Sequence, residues 1–134
     1  MTRINIVPVE ELFDQHLIAE YREITMVSAA LKRTLNSKNG LDKTKINKTY
    51  TLNQGHVYFF YDKGKYLDKR YKKIIKEMER RGFHPNPKRK LPINIFIAND
   101  LYKDWAPTVE DFKIIRKRIK SKVKEKPGWY RKTI

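Results

Sequence analysis

Cysteine is absent from the 134-residue sequence, which excludes disulfide bonds, thiol nucleophiles and thiolate metal ligands. The three histidines, at positions 16, 56 and 84, lie too far apart for any local metal-ligand spacing. The sequence has no Gly-rich phosphate loop, and no apolar run approaches the ~20 residues needed to cross a bilayer. We therefore expect a chemistry that uses neither metal nor cofactor, in a protein that does not span a membrane.

Acidic residues are also scarce. The chain has 31 Lys and Arg against 15 Asp and Glu, a formal charge of +16 and a pI near 10.0. A surplus of this size favours a polyanionic partner, nucleic acid before membrane. It is strongest in residues 113–126, where eight basic residues stand against the single acid Glu125. Like charges on one helix repel, so this stretch favours an anionic partner.

Apolar residues recur at helical spacing in three segments, near residues 10–36, 63–81 and 108–125. Between them, the apolar run at 57–61 predicts a short strand or, preferably, an extended segment that crosses the core. Residues 84–107 hold four prolines and predict no regular structure. The fold class that we predict is all-α: one compact domain, residues 1–134, of three helices with long irregular loops and little or no sheet.

Local signals mark the ends of these helices. Asp62 is a predicted N-cap of the second helix, and Gly82 a predicted left-handed cap at its end. Thr108 is a predicted N-cap of the third helix, which Pro127 stops. A basic and aromatic tail, residues 127–134, follows.

The N-terminus carries a candidate nucleophile. Removal of Met1, which the small side chain of Thr2 permits, leaves Thr2 with a free α-amine. Such an amine titrates near ~7.8, against ~10.4 for lysine, so a useful fraction is uncharged at neutral pH and can form a Schiff base. A carboxylate beside it, Glu23, could stabilise positive charge at the attacked carbon and later move a proton.

The first helix brings further groups to this surface. His16 and Glu23 are seven residues apart and therefore fall within about 20° of each other on a helical wheel, with Arg22 further round the exposed side. If the N-terminal arm, residues 2–8, folds back on this helix, it brings Thr2 against the same surface.

Several short motifs are similar to those of one known family. They are Met1-Thr2-Arg3-Ile4-Asn5, Asp14-Gln15-His16-Leu17, Ala19-Glu20-Tyr21-Arg22-Glu23, Gly55-His56-Val57, Phe59-Phe60-Tyr61-Asp62-Lys63, Arg81-Gly82-Phe83 and Pro127-Gly128-Trp129-Tyr130. Together they resemble the pyrimidine-dimer DNA glycosylases, also called phage-type endonuclease V. The spacing over residues 1–83 fits without a gap. The resemblance implies excision of cyclobutane dimers, followed by nicking of the abasic site through β-elimination.

The resemblance also implies roles for particular residues. It makes the Thr2 amine and Glu23 the catalytic pair and places Arg3 and Arg22 on flanking phosphates. On the third helix, Arg118 and Lys122 match the family's phosphate-contacting pair. We predict His16 as a further DNA contact. In the family the tail that holds Trp129 and Tyr130 contributes to lesion recognition, although this aromatic pair could equally anchor the C-terminus on the core.

Two departures from the family stand out: Met26 occupies a position where the family commonly has a phosphate-binding arginine, and residues 84–105 have no clear counterpart.

We expect a monomeric DNA repair enzyme that acts on double-stranded DNA with pyrimidine dimers or abasic sites, in the cytoplasm of a bacterial or phage-infected cell. The alternatives are a non-catalytic basic nucleic-acid-binding protein on the same scaffold and a glycosylase/lyase for another damaged base.

Overall fold

The computed structural model describes residues 2–134; Met1, whose removal is predicted above, lies outside the described residues. The described residues form five α-helices: α1 (Asp14–Leu35), α2 (His56–Phe59), α3 (Gly64–Arg80), α4 (Asn94–Ala98) and α5 (Val109–Glu125). They contain no β-strand, although an isolated antiparallel bridge joins Lys63 and Tyr102. The all-α prediction is confirmed. The prediction of three helices accounts for the three long ones, α1, α3 and α5, and omits the short helices α2 and α4.

The core forms where α1 packs against α3. Leu17, Ile24 and Leu31 of α1 repeat at seven-residue intervals and are fully buried, as are Leu67 and Ile74 of α3. Burial of each such side chain contributes about 1.5–3 kcal/mol to the stability of the fold. The apolar stripes read from the sequence are therefore the faces that hold the two helices together.

The ends of the helices follow the local signals in part. Thr108 and Asp111 form a reciprocal capping box at the start of α5, and Gly82 adopts a positive φ of 89° after α3, as predicted. The prediction for Asp62 is wrong: it ends a 3-10 turn, Phe60–Asp62, and its carboxylate pairs with the Lys63 ammonium at 2.8 Å. α1 begins at Asp14 because residues 9–11 form a separate 3-10 turn.

Two loop predictions need correction. Residues 57–61 are neither a strand nor an extended segment, since they lie in α2 and the following 3-10 turn. This compact turn buries the rings of Phe59 and Phe60 together against Trp105, at centroid distances of 5.2 and 5.9 Å. The proline-rich stretch is not wholly irregular either. It contains α4, whose Phe96 is fully buried against Gly64, where a Cβ would lie 2.5 Å from the ring.

None of the helices in residues 2–134 combines the length and apolar character that crossing a membrane requires.

Candidate active site

The N-terminal arm is held by hydrogen bonds on both sides of its backbone at Ile4. The Ile4 N–H donates to Nε2 of His56 at 2.9 Å, and the Ile4 carbonyl accepts from the Tyr50 hydroxyl at 2.9 Å. Because Nε2 accepts, the proton of the neutral His56 ring is on Nδ1, which donates to the Thr51 carbonyl at 2.7 Å. The ring of His56 therefore ties the arm to the segment that precedes α2.

A buried ion pair holds the next part of the arm. Arg70 of α3 makes two hydrogen bonds to the carboxylate of Glu20 on α1, at 2.7 and 3.1 Å. Glu20 also accepts from the Asn5 N–H at 3.0 Å, and Arg70 donates to the Val7 carbonyl. Burial opposes the charge on Arg70, but Glu20 beside it raises the pKa of Arg70. Removing either partner would leave a buried charge uncompensated, at a cost of about 3–5 kcal/mol.

With the arm held in this way, its first residues lie on α1. The Thr2 hydroxyl is 3.6 Å from the sulfur of Met26. The backbone N–H of Arg3 hydrogen-bonds the carboxylate of Glu23. Burial raises the pKa of Glu23, and the hydrogen bond from Arg3 partly offsets this effect. The arrangement brings Thr2 and a half-buried carboxylate to one place.

Of the cations predicted for DNA contact, Arg3 and Arg118 lie near this place. The side chain of Arg3 is buried and donates to the Leu52 carbonyl at 2.6 Å. Burial, together with the charge of Arg118, lowers the pKa of Arg3. Arg118 of α5 therefore faces the site, whereas Lys122, one turn further, approaches Glu125 at 3.6 Å. Arg22 is exposed on α1.

The imidazole of His16 is covered by the tail of the chain. Tyr130 stacks on it at 4.7 Å with an interplanar angle of 14°, and Phe13 meets it edge-on at 6.1 Å. Burial and the charge of Arg118 lower the pKa of His16. Its Nδ1 has no hydrogen-bond partner among residues 2–134. The structure thus places His16 beneath Tyr130 and not on the open surface.

The two tail aromatics differ in exposure. Tyr130 packs on His16, whereas Trp129 is 51% exposed, with the Lys126 ammonium 4.9 Å from the centre of its ring. Tyr130 therefore anchors the tail, and the role of Trp129 in DNA recognition stays a prediction. The tail is fixed further by Asp14, whose N–H donates to the Arg131 carbonyl at 2.6 Å.

Sequence reasoning missed the residues that position the arm, namely Glu20, Arg70, Tyr50 and His56. One signal was available. Glu20 stands three residues after Leu17, on the apolar side of its helix, and Arg70 lies beside the stripe of α3. An acid and a base on two facing apolar stripes are typical of a buried ion pair.

The fold and the site define a basic helical protein whose arm, at Thr2 and Arg3, lies against the carboxylate of Glu23. The family model described as pyrimidine dimer DNA glycosylase matches residues 1–91, more than half of the chain and all of the arm, α1 and α3. The chain belongs to the pyrimidine dimer DNA glycosylase family. The resemblance found in the short motifs is thereby confirmed, and with it a DNA repair class whose substrate is DNA that contains pyrimidine dimers.

Proposed function

We propose that this protein excises pyrimidine dimers through a Schiff base on the Thr2 amine and then nicks the abasic site as a lyase. One observation carries the proposal: the backbone N–H of Arg3, the residue next to Thr2, hydrogen-bonds the carboxylate of Glu23. A terminal amine and an acid are the two groups that an imine-forming glycosylase needs, and simple DNA binding needs neither.

The glycosylase step joins the amine to the sugar. DNA must be distorted so that the buried C1′ becomes accessible. The amine lone pair forms a bond to C1′ while the bond to the base breaks with its electron pair, and the proton that the amine nitrogen then loses passes to the departing base. The freed lone pair of the nitrogen forms the C=N bond as the bond from C1′ to the ring oxygen breaks, and a proton from solvent on that oxygen leaves a protonated imine between Thr2 and C1′. The Glu23 carboxylate stabilises the cationic centre that develops at C1′.

The lyase step breaks the strand. A proton passes from C2′ to Glu23, and the electron pair expels the phosphate from C3′. Hydrolysis of the imine then frees the enzyme. A glutamate whose pKa is raised by burial is a stronger base than a solvated one, which suits it to accept this proton.

The DNA lies on the cations around Thr2. Arg22, which is exposed on α1, holds a flanking phosphate. The buried charge of Arg3 helps to keep the Thr2 amine unprotonated, because nearby positive charge disfavours the charged form of the amine. Arg118 and Lys122 extend this track along α5. The exposed Trp129 is suited to stack on a base or sugar. In this proposal His16 shapes the floor of the site under Tyr130, and the chain acts as one monomeric domain.

Borohydride trapping tests the proposal. The protein is incubated with duplexes that contain a defined cyclobutane dimer, an abasic site or neither, then reduced, digested and mapped by mass spectrometry. We expect a covalent adduct at the α-amine of Thr2 with the first two duplexes and none with the third. An adduct on a lysine would refute the assignment of the Thr2 amine as the nucleophile. Trapping on the abasic duplex alone would indicate a lyase that excises another base, and no adduct would indicate a DNA-binding protein.

A further inference from the structure

A basic groove lies on the side of α1 away from Glu23, between this helix and residues 88–99. Its volume is about 990 Å³. Small side chains line the groove on the α1 side: Thr25, Ser28 and Ala29. Their small size lets another molecule approach the helix closely.

The rim of this groove is strongly positive. Four cations line it, Lys32, Lys88, Arg89 and Lys90, and no acidic residue is among its lining residues. All four are exposed. Four like charges around one groove repel each other, so the arrangement favours an anion between them.

The segment that contains Asn86 and Arg89 is held against α3 and α1 by specific contacts. The carbonyl of Arg89 accepts from the Tyr71 hydroxyl at 2.8 Å, and the Asn86 N–H donates to the Tyr21 hydroxyl at 2.9 Å. The Arg89 guanidinium lies 5.6 Å from the centre of the Tyr21 ring and 3.4 Å from the Thr25 hydroxyl. The guanidinium of Arg89 is thus placed in advance, which lowers the entropy cost of binding.

The groove continues the surface that carries the candidate active site. At about 100° per residue, Glu23, Met26, Arg22 and Thr25 follow one another around the exposed side of α1. A helix is about 10 Å across. The grooves of B-DNA are about 6 and 12 Å wide, so phosphates on either side of one groove can reach both sides of this helix.

Arg89 also brings a cation to a part of α1 that lacks one. Between Arg22 and Lys32 the helix carries no basic residue, and Met26 stands in the middle of this gap. The guanidinium of Arg89 reaches the neighbouring Thr25 from a segment 64 residues away. A positive charge absent from the helix itself is thereby supplied from outside it.

We propose that Lys32 and residues 88–90 form a second phosphate-binding site, which grips the DNA backbone across α1 from the lesion. The inference rests on the proposed function for its substrate, but it concerns affinity and not chemistry. Each phosphate neutralised contributes about −0.9 to the slope of log affinity against log salt.

The test is a salt titration of the Lys88→Gln/Lys90→Gln double variant, on a duplex with a stable abasic-site analogue. Both side chains are exposed, so folding is preserved, which circular dichroism checks. The matched control is Lys73→Gln/Lys76→Gln, which removes the same charge from a different groove, between α3 and residues 104–107. We expect the slope to flatten by about 1.8 units in the first variant and to stay at the wild-type value in the control.

Two outcomes would overturn this site. An unchanged slope in Lys88→Gln/Lys90→Gln would mean that the groove does not meet phosphates. Equal flattening in both double variants would mean that net charge alone sets the slope. Hydroxyl-radical footprinting gives a second readout, since the protected stretch should shorten on one side in the first variant only. Failure of the proposed chemistry is seen separately, as a wild-type protein that binds the analogue duplex but traps no imine on a duplex with a natural abasic site.

Discussion

Substitution of His56 by phenylalanine tests how the arm is held in place. The ring keeps its approximate size, but the variant loses the acceptor for the Ile4 N–H and the donor to the Thr51 carbonyl. His56 is only 3% exposed, so water does not replace these partners freely. Each buried group left unpaired costs about 1–3 kcal/mol, so we expect a loss of roughly 2–6 kcal/mol in the free energy of unfolding. This is a large share of the 5–15 kcal/mol typical of a domain.

The pH dependence of stability should change as well. Burial, with smaller effects of Arg3 and Arg118, lowers the pKa of His56 from 6.5 to about 4. Between these values the unfolded chain binds a proton that the folded chain does not, so stability falls as the pH falls. The contribution is fully present above pH 6.5 and is lost by about pH 4. At about 1.36 kcal/mol per pKa unit, it amounts to roughly 3 kcal/mol.

Urea unfolding between pH 4 and pH 7.5 measures both effects. We expect wild type to lose stability more steeply than His56→Phe as the pH is lowered, so that the two curves converge. The matched control is His84→Phe, because His84 is exposed and its substitution should leave the wild-type profile unchanged. Parallel curves for wild type and His56→Phe would refute the reasoning, since the ring could then not be the neutral acceptor that binds the arm. Imine trapping by the variant, measured where it is still folded, should be slower because the amine is no longer held.

Three further predictions concern the DNA-facing residues. Glu23→Gln keeps the size of the side chain but removes its charge, so excision should fall on the order of 10²-fold or more while duplex binding persists; near-normal cleavage of a dimer-containing duplex would contradict the role. Arg118→Gln and Lys122→Gln should each flatten the salt slope of binding by about one unit without a change in lesion preference, and unchanged slopes in both would place the DNA track elsewhere. Met26→Arg should tighten DNA binding by about 1–2 kcal/mol at low salt and steepen the slope by about one unit; equal titrations of variant and wild type would mean that position 26 does not meet phosphates.

Much of the helical framework could be predicted because its causes are local. The apolar stripe of α1 repeats every seven residues, and Thr108 caps α5 through a residue three positions on. Such signals depend on near neighbours and are present in any stretch of sequence read alone. The short helices α2 and α4 lacked them. Each is about one turn long, and it forms because Phe59 and Phe96 pack against residues far along the chain.

The candidate site likewise has features that the sequence predicts and contacts that only the structure shows. The motifs around Thr2 and Glu23, and the surplus of basic residues, identified the family and its DNA substrate class from the sequence. The hydrogen bond from Arg3 to Glu23 required the arm to fold back across 20 residues. The ion pair that holds the arm joins Glu20 to Arg70, 50 residues apart.

The sequence by itself therefore determined the long helices, the charge and the family, because each depends on residue types at short spacing. Only the tertiary structure decided that Tyr130 covers His16, that Tyr50 and His56 hold the arm, and that Arg89 lies beside Thr25. These contacts join residues 46 to 114 positions apart. No local pattern encodes such a pairing, since it exists only once α1 and α3 have packed and the segments around them have closed over the core.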